Sequence, residues 1–219
     1  MRINADFDKP AQAHPAAMEW IASPMAGVER KMLDRVGEEL ARATSLVRYA
    51  PGSHFSEHTH SGGEEFLVLE GTFSDQTGDF PAGTYVRNPI GTRHTPHSDP
   101  GCVIFVKLHQ FAGDDDDQKA VALDTSLVSG VQELHRHGDE TVRHVALDDG
   151  EALVFDGSEG GAEVLLLDGA AQSAGERFGK WGWLRIPAGQ GADVTALGHA
   201  RFYLKTGHLA AVEAFEPDA

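Results

Sequence analysis

From Val28 onward, apolar and polar residues alternate on a short period. VERKML (28–33), ATSLVRYA (43–50), FLVLEG (66–71), TYVRN (84–88) and VIFVKL (103–108) are brief apolar or β-branched runs, separated by glycine, proline and aspartate. Runs of this length bounded by turn residues predict strands rather than helices. A polar turn is expected around Gly37. Gly71 permits a tight bend between strands, and Pro89-Ile90-Gly91 shapes a loop. Short strands in regular succession predict an all-β fold of the jelly-roll barrel type.

The pattern breaks twice. Residues 1–27 carry Pro10, Pro15, Pro24 and many alanines, and the five residues between the first two prolines are too few for a free-standing helix. An arm lying on the barrel or on a partner subunit is expected there, with Trp20 as its apolar anchor and His14 at the surface. The second break is AGDDDDQKA (112–120). Adjacent carboxylates on a polar stretch are ordinarily solvated and self-repelling, so residues 113–120 read as an acidic linker.

Beyond the linker the first pattern returns. A shift of 98 residues carries Gly71 onto Gly169, Phe80 onto Phe178, Pro89 onto Pro187 and Lys107 onto Lys205. EEFLVLEG falls on AEVLLLDG, YVRNP on WLRIP, and CVIFVKL on ARFYLKT. A constant offset over many landmarks signals internal duplication. The expected domains are therefore an arm (1–27), a first barrel (28–112), a linker (113–120) and a second barrel (121–219).

Composition narrows the partners. Of 219 residues, 41% are hydrophobic, enough for a real core, and 25 glycines with ten prolines suit strands and turns. The net charge of −16 comes with no basic patch, which argues against nucleic acid and anionic membrane as partners. Cys102 has no second cysteine to pair with, which fits a reducing compartment. The first twenty residues lack an apolar signal region, and no stretch approaches eighteen apolar residues, so a cytoplasmic protein is expected.

The chemistry concentrates between Gly52 and His94. His58 and His60 stand two apart, so on a strand they face one way. The Ser61-Gly62-Gly63 turn brings Glu64 back beside them, and His94 follows a second turn, Asn88-Pro89-Ile90-Gly91. Three imidazoles and one carboxylate form an ordinary ligand set for one divalent transition metal, leaving a position or two for water or substrate. The set does not choose among zinc, iron, manganese and nickel. The spacing Gly52-x5-His58-x-His60-x3-Glu64-x6-Gly71 resembles the first cupin motif, and Gly83-x5-Pro89-x-Gly91-x2-His94 the second, with Ser98 in place of the usual closing Asn. The string LVRYAPGSHFSEHTHSGGEEFLVLEGTF resembles the cupin domain of the ChrR anti-sigma factors and related metal-dependent dioxygenases. That resemblance implies two tandem cupin barrels, with the metal of the first held by His58, His60, Glu64 and His94.

At the same offset, His58, His60, Glu64 and His94 become Asp156, Ser158, Ala162 and Ala192, so the second barrel is expected to be metal-free. His135, His137 and His144 fall outside the repeat register of the ligands and read as polar strand or loop residues. Trp181 and Trp183 alternate on one strand face and are expected to be buried. Near the first site, His97 is a candidate acid–base residue with a rim histidine as the plainer reading. Arg87 and Arg93 could pair with an acidic substrate or form ordinary ion pairs, and Glu65 should face away from the metal. Phe55, Phe66, Tyr85 and Phe105 are candidates to line the interior.

Three functions compete: an oxygenase acting on a small enolisable or aromatic substrate, a ChrR-like sensor or regulator, and a metal-binding protein without turnover. A small-molecule ligand at the metal and a homodimer are the expected partners. Sigma-factor binding is not expected, because the 1–27 leader is too short for the separate zinc-binding helical domain that ChrR proteins carry.

Overall fold

The computed structural model describes residues 1–38 and 40–210; the final part of the expected second barrel, 211–219, lies outside the described residues. The fold is all-β. One 3-10 turn, Pro15–Ala17, is the only helical element among the described residues, and none of them forms a helix long and apolar enough to cross a membrane.

The chain divides into two compact units. The first comprises Met1–Ala5 and Glu19–Leu123; the second comprises Asp6–Met18 and the described residues from Asp124 on. In the first, antiparallel pairing runs in the order Arg2–Ile3, Val28–Gly37, Ala41–Tyr49, Cys102–Leu108, Glu64–Asp75, Thr84–Asn88 and Lys119–Ala122. Alternation along these strands sorts the side chains. Phe66, Val68, Val86, Ile104 and Val106 enter one core with Val47, Phe55 and Phe73. Burying each such side chain contributes about 1.5–3 kcal/mol. Glu65, Tyr85, Arg87, Phe105 and Lys107 occupy the alternate positions and are also buried.

In the second unit the larger sheet runs Gly130–His137, Glu140–Leu147, Ala200–Thr206, Ala162–Asp168, Trp183–Ile186, Ala11–Ala13. A smaller sheet joins Ala152–Phe155, Ala192–Ala196, Ala171–Ser173 and Glu176–Phe178. Their apolar residues share one core. The 98-residue offset survives in the pairing itself. Cys102 faces Tyr49 as Ala200 faces Leu147, and Phe73 faces Phe80 as Ala171 faces Phe178. The irregularity that skips Leu69 in the first unit skips Leu167 in the second.

Several sequence expectations change in detail. The acidic stretch is not the joint between the units: Lys119–Ala122 pairs with Thr84–Asn88, and the division falls after Leu123. Nor are all four aspartates solvated. Asp115 is buried and accepts a hydrogen bond from Arg87, which also donates to Glu65 at 2.8 Å. The guanidinium neutralises a carboxylate that solvent would otherwise have to hold. The leader is shared out, with Ala11–Ala13 pairing with Trp183–Ile186 inside the second unit. Trp20 lies under the cations of Lys31 and Arg48, at 4.6 and 4.5 Å from its ring. His14 stacks on Phe178 at 5.1 Å. Trp183 is fully buried, but Trp181 does not share its strand face: it sits in the preceding turn with φ 64°. His135 and His144 are buried, while His137 is partly exposed.

Candidate metal centre

Two turns and one long strand bring the four predicted residues together. His58–Thr59 pairs with Arg93–His94, setting His94 directly across from His58. The His60 amide donates to the Thr92 carbonyl at 2.9 Å, and the Gly91 amide donates back to His60 at 2.9 Å. The Gly62-Gly63 turn then reverses the chain into Glu64–Asp75. Gly63 has φ 75°, and a Cβ there would run into the Phe111 ring, so glycine is required on both counts. Each of the four offers a donor atom, and these donors lie within 4.8 Å of one another. His60, Glu64 and His94 are buried; His58 is exposed.

The inner distances are those a first-row divalent ion needs. His60 Nε2 stands 3.2 Å from His94 Nε2 and 3.3 Å from Glu64 Oε2, and His94 Nε2 stands 3.5 Å from the same oxygen. Ligands about 2.0–2.2 Å from one ion in tetrahedral or octahedral array are spaced roughly 3–3.5 Å apart. The three imidazole rings meet nearly edge to face, with centroids 4.5–5.2 Å apart.

The outer nitrogens explain why this arrangement calls for a cation. His94 Nδ1 lies 3.2 Å from Asp75 Oδ2. Burial alone would raise the Asp75 pKa, but hydrogen bonds from His94 and Thr77 outweigh it and hold the carboxyl below its usual range. An ionised carboxylate only accepts, so His94 carries its proton on Nδ1. Thr92 gives its hydroxyl proton to the Pro89 carbonyl at 2.6 Å, and therefore accepts from His60 Nδ1 at 3.0 Å. His58 Nδ1 faces the Ser56 carbonyl at 3.4 Å. With their outer nitrogens so engaged, His60 and His94 turn Nε2 toward Glu64, itself oriented by the Asn88 amide at 3.3 Å. Burial lowers the His60 pKa, favouring the neutral form that such a role requires. Imidazole nitrogens and a carboxylate converging in this way are capable of coordinating a divalent metal.

Sequence reasoning missed Asp75, Thr92 and Asn88. Asp75 ends the very strand that Glu64 begins, but an aspartate before a turn carries no local signal of its partner. His97 is not drawn into the cluster. Its ring stacks on exposed His54 at 5.3 Å, and it makes no hydrogen bond or ring contact with the four. Arg93 is exposed, and Arg87 is engaged by Glu65 and Asp115. Of the candidate lining residues, Phe55 and Phe66 lie in the core beside the cluster. Tyr85 points the other way, donating its hydroxyl to Glu65 at 2.5 Å.

One wall is aromatic. Phe73 lies 5.7 Å from His94, and Tyr49 stands edge-on to Phe73 at 5.7 Å and to Phe55 at 5.0 Å. Burial, with the Glu64 carboxylate and Cys102 nearby, pushes the Tyr49 phenol well above its ordinary range.

A sequence profile of the family described as the ChrR Cupin-like domain matches residues 8–112. Part of this chain is a cupin-superfamily domain. No curated protein matches the chain. Among solved structures it is similar to the bacterial pirin YhhW from Escherichia coli, crystallised with nickel(II): 16% identity, 90% of this chain and 98% of that one, TM-score 0.70. It is also similar to a putative dioxygenase from Nostoc punctiforme, at 14% identity over all of this chain and 87% of that one, TM-score 0.67. Oxalate decarboxylase from Lactobacillus farciminis, in a formate complex, aligns at 11% identity over 91% of this chain and 86% of that one, TM-score 0.58. At these identities the likeness concerns the fold. The four-residue cluster lies within the cupin match.

Proposed function

We propose that the protein is a bicupin: two tandem jelly-roll barrels, of which the first binds one divalent transition metal through His58, His60, Glu64 and His94. We further propose that it acts as an oxygenase on a small enolisable or aromatic molecule. The observation that carries the metal reading is the convergence of His60, His94 and Glu64 at 3.2–3.5 Å, with a His58 nitrogen within 4.8 Å of them and each outer imidazole nitrogen already beside an acceptor. A bound divalent ion with this ligand set has a net charge near +1 and supplies a Lewis-acidic centre for an anionic oxygen and, if it is iron, for O2.

The protein's own residues do the rest. Asp75, Thr92 and Asn88 hold the ligands in one tautomer and one orientation. Exposed His58 marks the side open to a small molecule, and Phe73, 5.7 Å from His94, belongs to an aromatic wall beside the ligands. The second unit has no equivalent of this cluster at the repeat positions. Ala162, at the repeat position of Glu64, is part of the apolar core, and Ala192 packs against it. Asp156 and Ser158 are engaged with each other in a turn, where the Ser158 amide donates to Asp156 at 2.9 Å.

The test is elemental analysis of protein purified without added metal, with His58→Ala as control. One equivalent of iron per chain, lost in the variant, is the expected result and leads to an oxygen-uptake screen over diketones and hydroxylated aromatics. One equivalent of zinc would move the assignment to a sensing or structural site. No metal would overturn it. On this reading His97 is a group at the rim, so His97→Ala leaves metal content unchanged, and loss of turnover alone would mark it as the acid–base residue.

A further inference from the structure

Comparison of the two halves of the repeat isolates a residue that the ligand cluster does not explain. Tyr49 ends its strand directly across from Cys102, and the position 98 residues on, across from Ala200, is Leu147. The same offset replaces Phe55 by Leu153 and Phe73 by Ala171. The half that has the four ligand residues therefore also has a tyrosine and two phenylalanines packed edge to face. The half that has lost them holds leucines and an alanine in the same places. The core of a barrel does not need a hydroxyl, as Leu147 demonstrates by packing against the second core in its stead.

The hydroxyl is also unspent. Tyr85 commits its oxygen to Glu65, whereas the Tyr49 oxygen has no hydrogen-bond partner among the described residues. The ring is only partly buried, and it borders the interior that holds Glu64 and the aromatic wall. That oxygen is not among the polar atoms shut away from solvent without a partner, so a ligand oxygen can reach it.

We propose that Tyr49 is the residue that recognises the substrate at this centre, donating a hydrogen bond to an anionic oxygen while Phe55 packs against its flat carbon skeleton. The ligand class is a planar enolate or phenolate, of which a catecholate is the simplest case. This rests on the metal reading above. The cluster binds the oxyanion through its charge, the phenol O–H fixes the direction of the oxygen, and the aromatic edges select for a flat molecule.

The experiment uses the full chain loaded with zinc(II), which is redox-inert, and two probes. 4-Nitrocatechol changes its absorption on chelation; acetohydroxamate presents oxygen donors without an aromatic ring and is followed by its displacement of 4-nitrocatechol. Zinc content is measured alongside, so failure to bind metal counts against the metal reading and is told apart from failure of the inference. The expected result is that loaded wild type binds both probes and stripped protein binds neither. Tyr49→Phe keeps its zinc but loses roughly tenfold or more in affinity for both, the size of one hydrogen bond to a charged group. Phe55→Leu, which installs the residue found in the other half of the repeat, keeps affinity for acetohydroxamate and weakens 4-nitrocatechol. The inference is overturned if Tyr49→Phe binds both probes as wild type does, or if loaded wild type ignores 4-nitrocatechol. It is equally overturned if Tyr49→Phe loses zinc, which would make the tyrosine a support for the ligands rather than a contact to the substrate.

Discussion

Asp75 shows how much of the proposed metal centre lies outside its four candidate ligands. Its carboxylate holds the outer nitrogen of His94, and Thr77 in turn holds the carboxylate through its amide at 2.7 Å and its hydroxyl. Asp75→Asn keeps the size but offers a neutral amide that can present either end to the ring. The variant is expected to lose roughly 10–100-fold in metal affinity, read by competition with a chromophoric chelator, while the metal-free protein unfolds near the wild-type temperature. An unchanged affinity would show that His94 is oriented by its strand alone. That these four residues cluster was legible because local chemistry announces it: two histidines at i and i+2, a double-glycine turn, a carboxylate, and a framed third histidine. Asp75, Thr92 and Asn88 were not legible, because each meets its partner through strand register. His97 had the spacing of a participant, but strand pairing sends its ring to His54 instead.

Strands and their irregularities explain the remainder of the difference between pattern and fold. The duplication was legible from apolar landmarks, yet its charged members were not recognised as structural. Glu65, Arg87 and Lys107 recur as Glu163, Arg185 and Lys205, all buried, at strand positions where an apolar residue would be expected. That recurrence was the available signal that Arg87 belongs to the scaffold and not to a substrate. The bend glycines give a direct test of how deep the repeat runs. Gly71 has φ 71° and Gly169 φ 85°; a Cβ at Gly71 would strike the Gly101 carbonyl, and one at Gly169 the equivalent His199 carbonyl. Gly71→Ala and Gly169→Ala should each cost about 1–3 kcal/mol in denaturant unfolding, from left-handed strain together with the clash. A neutral effect at either site would mean that the bulge beside it relaxes freely and that only the sequence, not the constraint, is duplicated.

For the molecule as a whole, the same repeat makes a pH response assignable to one residue. His144 is buried in the second unit, where the first unit has Leu46: His144 lies across from Tyr203 as Leu46 lies across from Phe105. Burial first, and then the charge of Arg201, lower the His144 pKa, with Asp124 opposing them only in part. The folded protein therefore keeps this ring neutral at pH values where the unfolded chain, titrating near 6.5, has begun to take up a proton. Between those two values the unfolded state binds more protons, so stability rises with pH and falls on acidification below about 6.5. The slope from this one group cannot exceed about 1.4 kcal/mol per pH unit. His144→Leu restores the side chain that the other half of the repeat already uses, and removes the titration without opening a cavity. Denaturant unfolding of wild type and variant at pH 7.5 and pH 5.5 should show wild type losing stability relative to the variant at the lower pH. Because every other ionisable group is common to both proteins, the difference reads His144 alone. Equal losses in the two proteins would mean that the ring gains a proton as readily in the folded state as in the unfolded chain.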